Sequence, residues 1–149
     1  MHRITRRTTL ALLMISPFAN AARAEVIFTD EDGLAIRGTD PVAYFTHGKP
    51  VKGSAEFGAS HKGGTWRFAS AENRDMFTAD PETFAPQYGG FCAYAAAQNA
   101  KATINPKAWT IVDGKLYLNY SKGVRRRWRK DIPGYIAKAD ANWPTLQTQ

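Results

Sequence analysis

One cysteine in 149 residues leaves this chain no intrachain disulfide and no Cys-rich zinc site of its own. No uncharged apolar run reaches the ~20 residues that a spanning helix needs, which excludes a multi-span membrane protein. There is no phosphate loop, nucleophile elbow, zincin helix or dinucleotide fingerprint, and no spacing marks a Ser-His-Asp triad. Internal repeats, low-complexity stretches and long Pro/Gly/Ser linkers are also missing, so the chain reads as one domain. What is present is ordinary for a folded protein: 44% hydrophobic and 22% charged residues. A chain of this length buries a core without cross-links.

Residues 1–24 carry the three regions of a secretory signal in order. Arg3, Arg6 and Arg7 make a basic start, Leu10 to Phe18 is a short apolar stretch, and Ala22-Arg23-Ala24 is a small-x-small cleavage site. Ala19-Asn20-Ala21 offers an earlier one. Arg6-Arg7 after Thr5 resembles a twin-arginine export signal, with Thr9 standing where Phe is usual. The expected division is a signal peptide over 1–24 and one domain over 25–149, located in the periplasm or otherwise exported. Four of the 20 Lys and Arg and none of the 13 Asp and Glu leave with the signal, so the mature chain keeps 16 against 13. That near balance removes most support for nucleic-acid binding, and none is expected.

The expected fold class is α+β: short antiparallel β-hairpins packed with short helices, and a helical C-terminus. Three hairpins are predicted. The first runs from Val26-Ile27-Phe28 to Leu34-Ala35-Ile36 around Asp30–Gly33. The second runs from Glu56–Ser60 to Thr65–Phe68, with Trp66 and Phe68 on one face. The third is Trp109–Val112 and Lys115–Tyr120 about a two-residue Asp113-Gly114 turn, which favours type I′. Ser70 sits where an N-cap belongs, and Asp80-Pro81 ends the helix it opens. Ser121 is placed to cap a helix running to Lys130. Pro133 is placed to open another, on which Ile136, Ala139 and Trp143 share a face.

From Asp40-Pro41-Val42-Ala43-Tyr44-Phe45 onward the sequence resembles a known family. The likeness runs through Gly63-Gly64-Thr65-Trp66-Arg67-Phe68-Ala69-Ser70-Ala71-Glu72-Asn73 and Pro86-Gln87-Tyr88-Gly89-Gly90-Phe91-Cys92. It extends to Asn105–Trp109, Asp113–Tyr120 and Ala139–Pro144. Together these resemble the YHS domain, in its exported bacterial branch. Many members of the wider family are read as metal-binding modules. They carry Cys after Asp-Pro-Val, in a Phe-Cys-Ser stretch, and three residues after that Ser. Those positions are Ala43, Ala69 and Asn73 here, so the family's thiolate site cannot be carried over.

The remaining candidates are few. Cys92 follows two glycines and reads as a ligand or reactive thiol, or as a small buried apolar residue. With His47 and His61 it makes a mixed N/S set for copper or zinc if the fold gathers them. Asp40, Tyr44, Tyr88 and Tyr94 are candidates to line a small pocket with Cys92. Arg125, Arg126, Arg127, Arg129 and Lys130 form the densest charge run, a docking face for an acidic protein partner or an anionic membrane surface, or else a solvated face. Val124 and Trp128, at i and i+4, share a face of that helix and read as core.

The leading expectation is an exported small-ligand or metal-binding accessory module. The alternatives are a non-catalytic protein docking through its basic C-terminal helix, and a thiol-dependent enzyme using Cys92. The export expectation has a direct test. Replacing Arg6 and Arg7 together by Lys should strand the precursor in the cytoplasm, while the wild-type product begins at Glu25 on N-terminal sequencing. Normal processing of the double variant would rule out the twin-arginine route.

Overall fold

The computed structural model describes residues 26–149. Residues 1–24, where a signal peptide is expected, lie outside the described residues. Two pairs of consecutive residues with positive φ fold the chain back on itself. Lys62 (φ 50°) and Gly63 (φ 81°) join β1 (Ser54–His61) to β2 (Gly64–Phe68). Asp113 (φ 50°) and Gly114 (φ 73°) join β3 (Asn105–Val112) to β4 (Lys115–Asn119). Positive φ at both central positions is the type I′ signature, whose twist matches that of the strands it connects. Each antiparallel pair forms its own two-stranded sheet, and each carries a register irregularity near its far end.

Side-chain caps set the helix starts. Ser70 Oγ accepts from Asn73 N at 3.1 Å and opens α2 (Ala71–Ala79). Ser121 Oγ accepts from Val124 N at 3.1 Å and opens α5 (Lys122–Trp128). Asp131 caps α6 (Ile132–Leu146), with Pro133 in its first turn. These caps satisfy donors that have no partner inside the helix. Shorter helices complete the set: α1 (Ala43–Thr46), α3 (Pro81–Phe84) and α4 (Ala93–Ala97). The architecture is the expected α+β arrangement with a helical C-terminus.

β4 is the wall shared by two cores. Its side chains alternate across the strand. Leu116 and Leu118 enter one cluster with Trp66, Phe68, Phe77 and Ile104, while Tyr117 enters another with Trp128, Tyr88, Ala139 and Leu146. Each fully buried leucine contributes about 1.5–3 kcal/mol of apolar burial. The alanines of α4 let it lie close along α6, and Asn142 Nδ2 reaches across to the carbonyls of Ala96 (3.0 Å) and Ala97 (3.3 Å). Ala96 O also accepts from Asn99 N at 3.1 Å, so the Asn142 amide ties an already closed end of α4 to α6.

Two local expectations change. The first hairpin shrinks to a single bridge between Thr29 and Ala35, because Ile36, Arg37 and Gly38 all take positive φ and turn the chain away. The basic run does not lie on the C-terminal helix. α5 ends at Trp128, and Arg129–Asp131 form a 3-10 turn that leads into the cap of α6. Arg125, Arg126 and Arg127 therefore sit on the penultimate helix, Arg129 and Lys130 on the turn after it, and Trp128 is fully buried beneath them.

The β3–β4 turn gives a clean test of backbone strain. A Cβ at Gly114 would meet nothing within 4 Å, so only its φ of 73° resists substitution. Gly114→Val should lower stability by roughly 1–3 kcal/mol, read as a fall in melting temperature. An unchanged melting temperature would overturn the turn assignment.

Candidate functional site

Asp40 is fully buried, and its carboxylate is a meeting point rather than a pocket wall. Oδ1 accepts from Val42 N at 2.8 Å and Ala43 N at 3.3 Å. Oδ2 accepts from Ala69 N and from Asn73 Nδ2, both at 2.8 Å. The three positions at which the family resemblance places cysteines thus converge on this one side chain. They present two backbone N–H groups and an amide N–H, all donors. Methyl groups and N–H donors do not hold a metal ion, so these residues do not fit the thiolate centre of the wider family.

Cys92 lies in the first core. Its S–H donates to Asn119 Oδ1 at 3.5 Å, and its sulfur accepts from Tyr120 N at 3.2 Å. Asn119, also fully buried, accepts from Tyr94 N at 3.1 Å through the same oxygen. Burial pushes the Cys92 thiol up from its ordinary range and outweighs the nearby backbone N–H groups that favour the thiolate. A nucleophilic cysteine needs the opposite shift. His47 is exposed at the end of α1, with Nδ1 2.9 Å from Thr46 Oγ1. His61 ends β1, its ring packed edge-on to Phe77 at 5.5 Å. Among the described residues, no three His, Cys, Asp or Glu side chains form a group able to hold a metal ion.

Of the four candidate pocket residues, the structure separates three from the fourth. Asp40 is the interior node. Tyr44 is buried, donates its hydroxyl to Pro106 O at 2.7 Å and packs on Trp109. Tyr94 stacks near Tyr135 and lies under the Arg127 guanidinium. Tyr88 alone of the four lines a concave site. The basic run is partly engaged as well: Arg125 Nε donates to Thr110 Oγ1 at 3.1 Å.

The concave site is a pocket of about 320 Å³ between the β1–β2 turn, the segment 85–89 and the last turns of α6. Trp66, Tyr88 and Trp143 supply its aromatic surface, and His61, Asp140 and the Lys62–Glu82 pair its polar groups. Trp66 Nε1 donates to His61 O at 3.1 Å, which ties the turn to the pocket floor. The Tyr88 hydroxyl donates to Asp140 Oδ1 at 2.9 Å. Burial raises the Tyr88 hydroxyl's pKa, and the bond to the Asp140 carboxylate raises it further, so it stays a neutral donor. Size, apolar walls and a few convergent polar groups are what small-molecule sites share.

Residues 42–88 match the YHS domain. No curated protein and no solved structure matches the chain. The YHS segment contains α1, both strands of the first sheet, α2, α3 and Tyr88, and so one side of the pocket. Asp140 and Trp143, on α6, come from outside it. The sequence singled out Tyr88 and His61 but not their partners. Trp143 was legible only as an apolar position on the buried face of α6. Asp140, three residues before it, was the available sign that this face also carries charge.

Burial of Cys92 sets an alkaline stability limit. The unfolded thiol releases its proton around its ordinary value of 9.0, while the folded thiol keeps it. Stability should therefore be intact below that pH and fall as pH rises through it, by up to about 1.4 kcal/mol per pH unit for one proton. Tyr44 and Tyr88, shifted the same way by burial, add to the fall above 10.0. Melting temperatures measured from pH 8 to 11 should show this slope, and Cys92→Ala should shallow it. A thiol reagent should label the native protein at neutral pH only after denaturant is added. Fast labelling of native protein would overturn the buried placement.

Proposed function

We propose that this chain is an exported accessory module, with a YHS segment, that binds a small organic ligand in the Trp66–Tyr88–Trp143 pocket. The reading rests chiefly on that pocket: a concave site whose aromatic surface carries a fixed carboxylate, a fixed hydroxyl and an imidazole. Export rests on the signal-like residues 1–24, with their Arg6-Arg7 pair. The same geometry gives no support to the metal and thiol-enzyme readings. The family's ligand positions hold N–H donors, and Cys92 sits in the core as a protonated thiol.

The test is a fragment screen on isotope-labelled protein purified after export. Some small organic fragments should shift the indole N–H signals of Trp66 and Trp143 and the amides of Tyr88 and Asp140. Trp143→Ala should abolish those shifts without unfolding the chain, as checked by the unchanged remainder of the spectrum. A diverse fragment set that leaves these signals in place would overturn the reading.

A further inference from the structure

The charge and wall chemistry of the pocket narrow the class of ligand. Tyr88 and Trp143 form a corner, their ring centroids 5.9 Å apart and their planes inclined at 65°. Trp66, almost wholly buried, also belongs to the lining. Aromatic faces carry negative quadrupole density and attract cations within about 6 Å. The charged side chains add the second term. Lys62 Nζ stands 3.1 Å from Glu82 Oε1, so a cation and an anion offset each other at the rim. Asp140 differs. The hydroxyl of Tyr88 fixes its Oδ1, but a neutral donor orients a carboxylate without cancelling its charge. Among the described residues no cation is paired with it.

Resting on the small-ligand reading above, we infer that the pocket takes an organic cation: an ammonium or quaternary ammonium group on a small apolar body. The cation fits against the Tyr88–Trp143 corner beside Asp140, and the apolar body fits the remaining wall. The other classes meet specific penalties. An anion placed there faces the Asp140 carboxylate. A neutral ligand that closes over the site strips water from that carboxylate without giving it a partner, which costs free energy. A metal ion finds no group of three suitable ligands among the described residues.

Choline and its neutral isostere 3,3-dimethylbutan-1-ol separate charge from shape. The probes are titrated into the exported protein while the Trp66 and Trp143 indole signals are followed. Choline should bind at least about tenfold more tightly than the alcohol, the scale of one desolvated cation–π contact. Asp140→Asn keeps an acceptor for the Tyr88 hydroxyl and removes the charge. It should weaken choline about tenfold without weakening the alcohol, whose cost of desolvating the carboxylate it lowers. Equal binding of the two probes at these signals would overturn the cation inference while leaving a small-ligand pocket in place. So would choline that moves neither indole while other fragments do. If no fragment of any charge moves them, the broader reading has failed as well.

Discussion

The fold turns on a single buried carboxylate. An isolated charge in an apolar interior is very costly, and Asp40 is held there by four N–H donors that meet both of its oxygens. The donors come from separate parts of the chain: two from the entry to α1, one from the residue after β2, one from the first turn of α2. Asp40 also donates its own N–H to Val51 O at 2.8 Å. One side chain thereby fixes where the strand pair meets the two helices, and each of those elements is too short to be stable alone.

The placement of the pocket follows from that junction. With the end of β2 fixed to Asp40, Trp66 and Phe68 point inward onto Phe77 of α2, at 5.0 and 5.2 Å between ring centroids. Trp66 then reaches the pocket, and its indole N–H holds the end of β1 and with it His61. On the opposite side, Tyr88 and Gly89 take positive φ and turn the tyrosine toward α6. Gly89 is needed there: a Cβ would lie 2.5 Å from the Val26 carbonyl oxygen. The pocket thus forms where the YHS segment meets a helix outside it. Its floor belongs to the matched segment, while Asp140 and the half-buried Trp143, the residues that give it charge and an aromatic wall, belong to the rest of this chain.

Local chemistry was the part legible from sequence. The Asp113-Gly114 turn, the Ser70 and Ser121 caps and the buried face of α6 each follow from nearest neighbours, and each stands in the structure. The first hairpin does not extend beyond one bridge because its outcome depends on Ile36, a β-branched residue held at φ 41°. That conformation is unfavourable locally and is imposed by tertiary packing. The roles of Asp40 and Asn73 were hidden for a related reason. Their bond spans 33 positions, and no periodicity reports such a pairing. His47, His61 and Cys92 formed a plausible ligand set by residue type alone. Residue type does not fix distance, and the fold sends them to a helix end, a hairpin turn and a core.

The Asp40 node also explains how a chain with this resemblance keeps its fold without thiolates. Three of the four bonds use backbone N–H groups, which any residue but proline supplies at positions 42, 43 and 69. Ala43 and Ala69 can therefore lack functional side chains while still contributing to the node. Only position 73 must act through its side chain, and there an amide donates to the carboxylate more strongly than a thiol would. Position 73 is therefore structural in this chain, and nothing at the junction is left over for ligand chemistry. The uncommitted chemistry lies instead at the other end of β2, where Asp140 meets the aromatic corner. A carboxylate satisfied by four donors has no demand left for a ligand. One oriented by a single neutral hydroxyl at an exposed position keeps lone pairs open to water, which a cation bound in the pocket can replace.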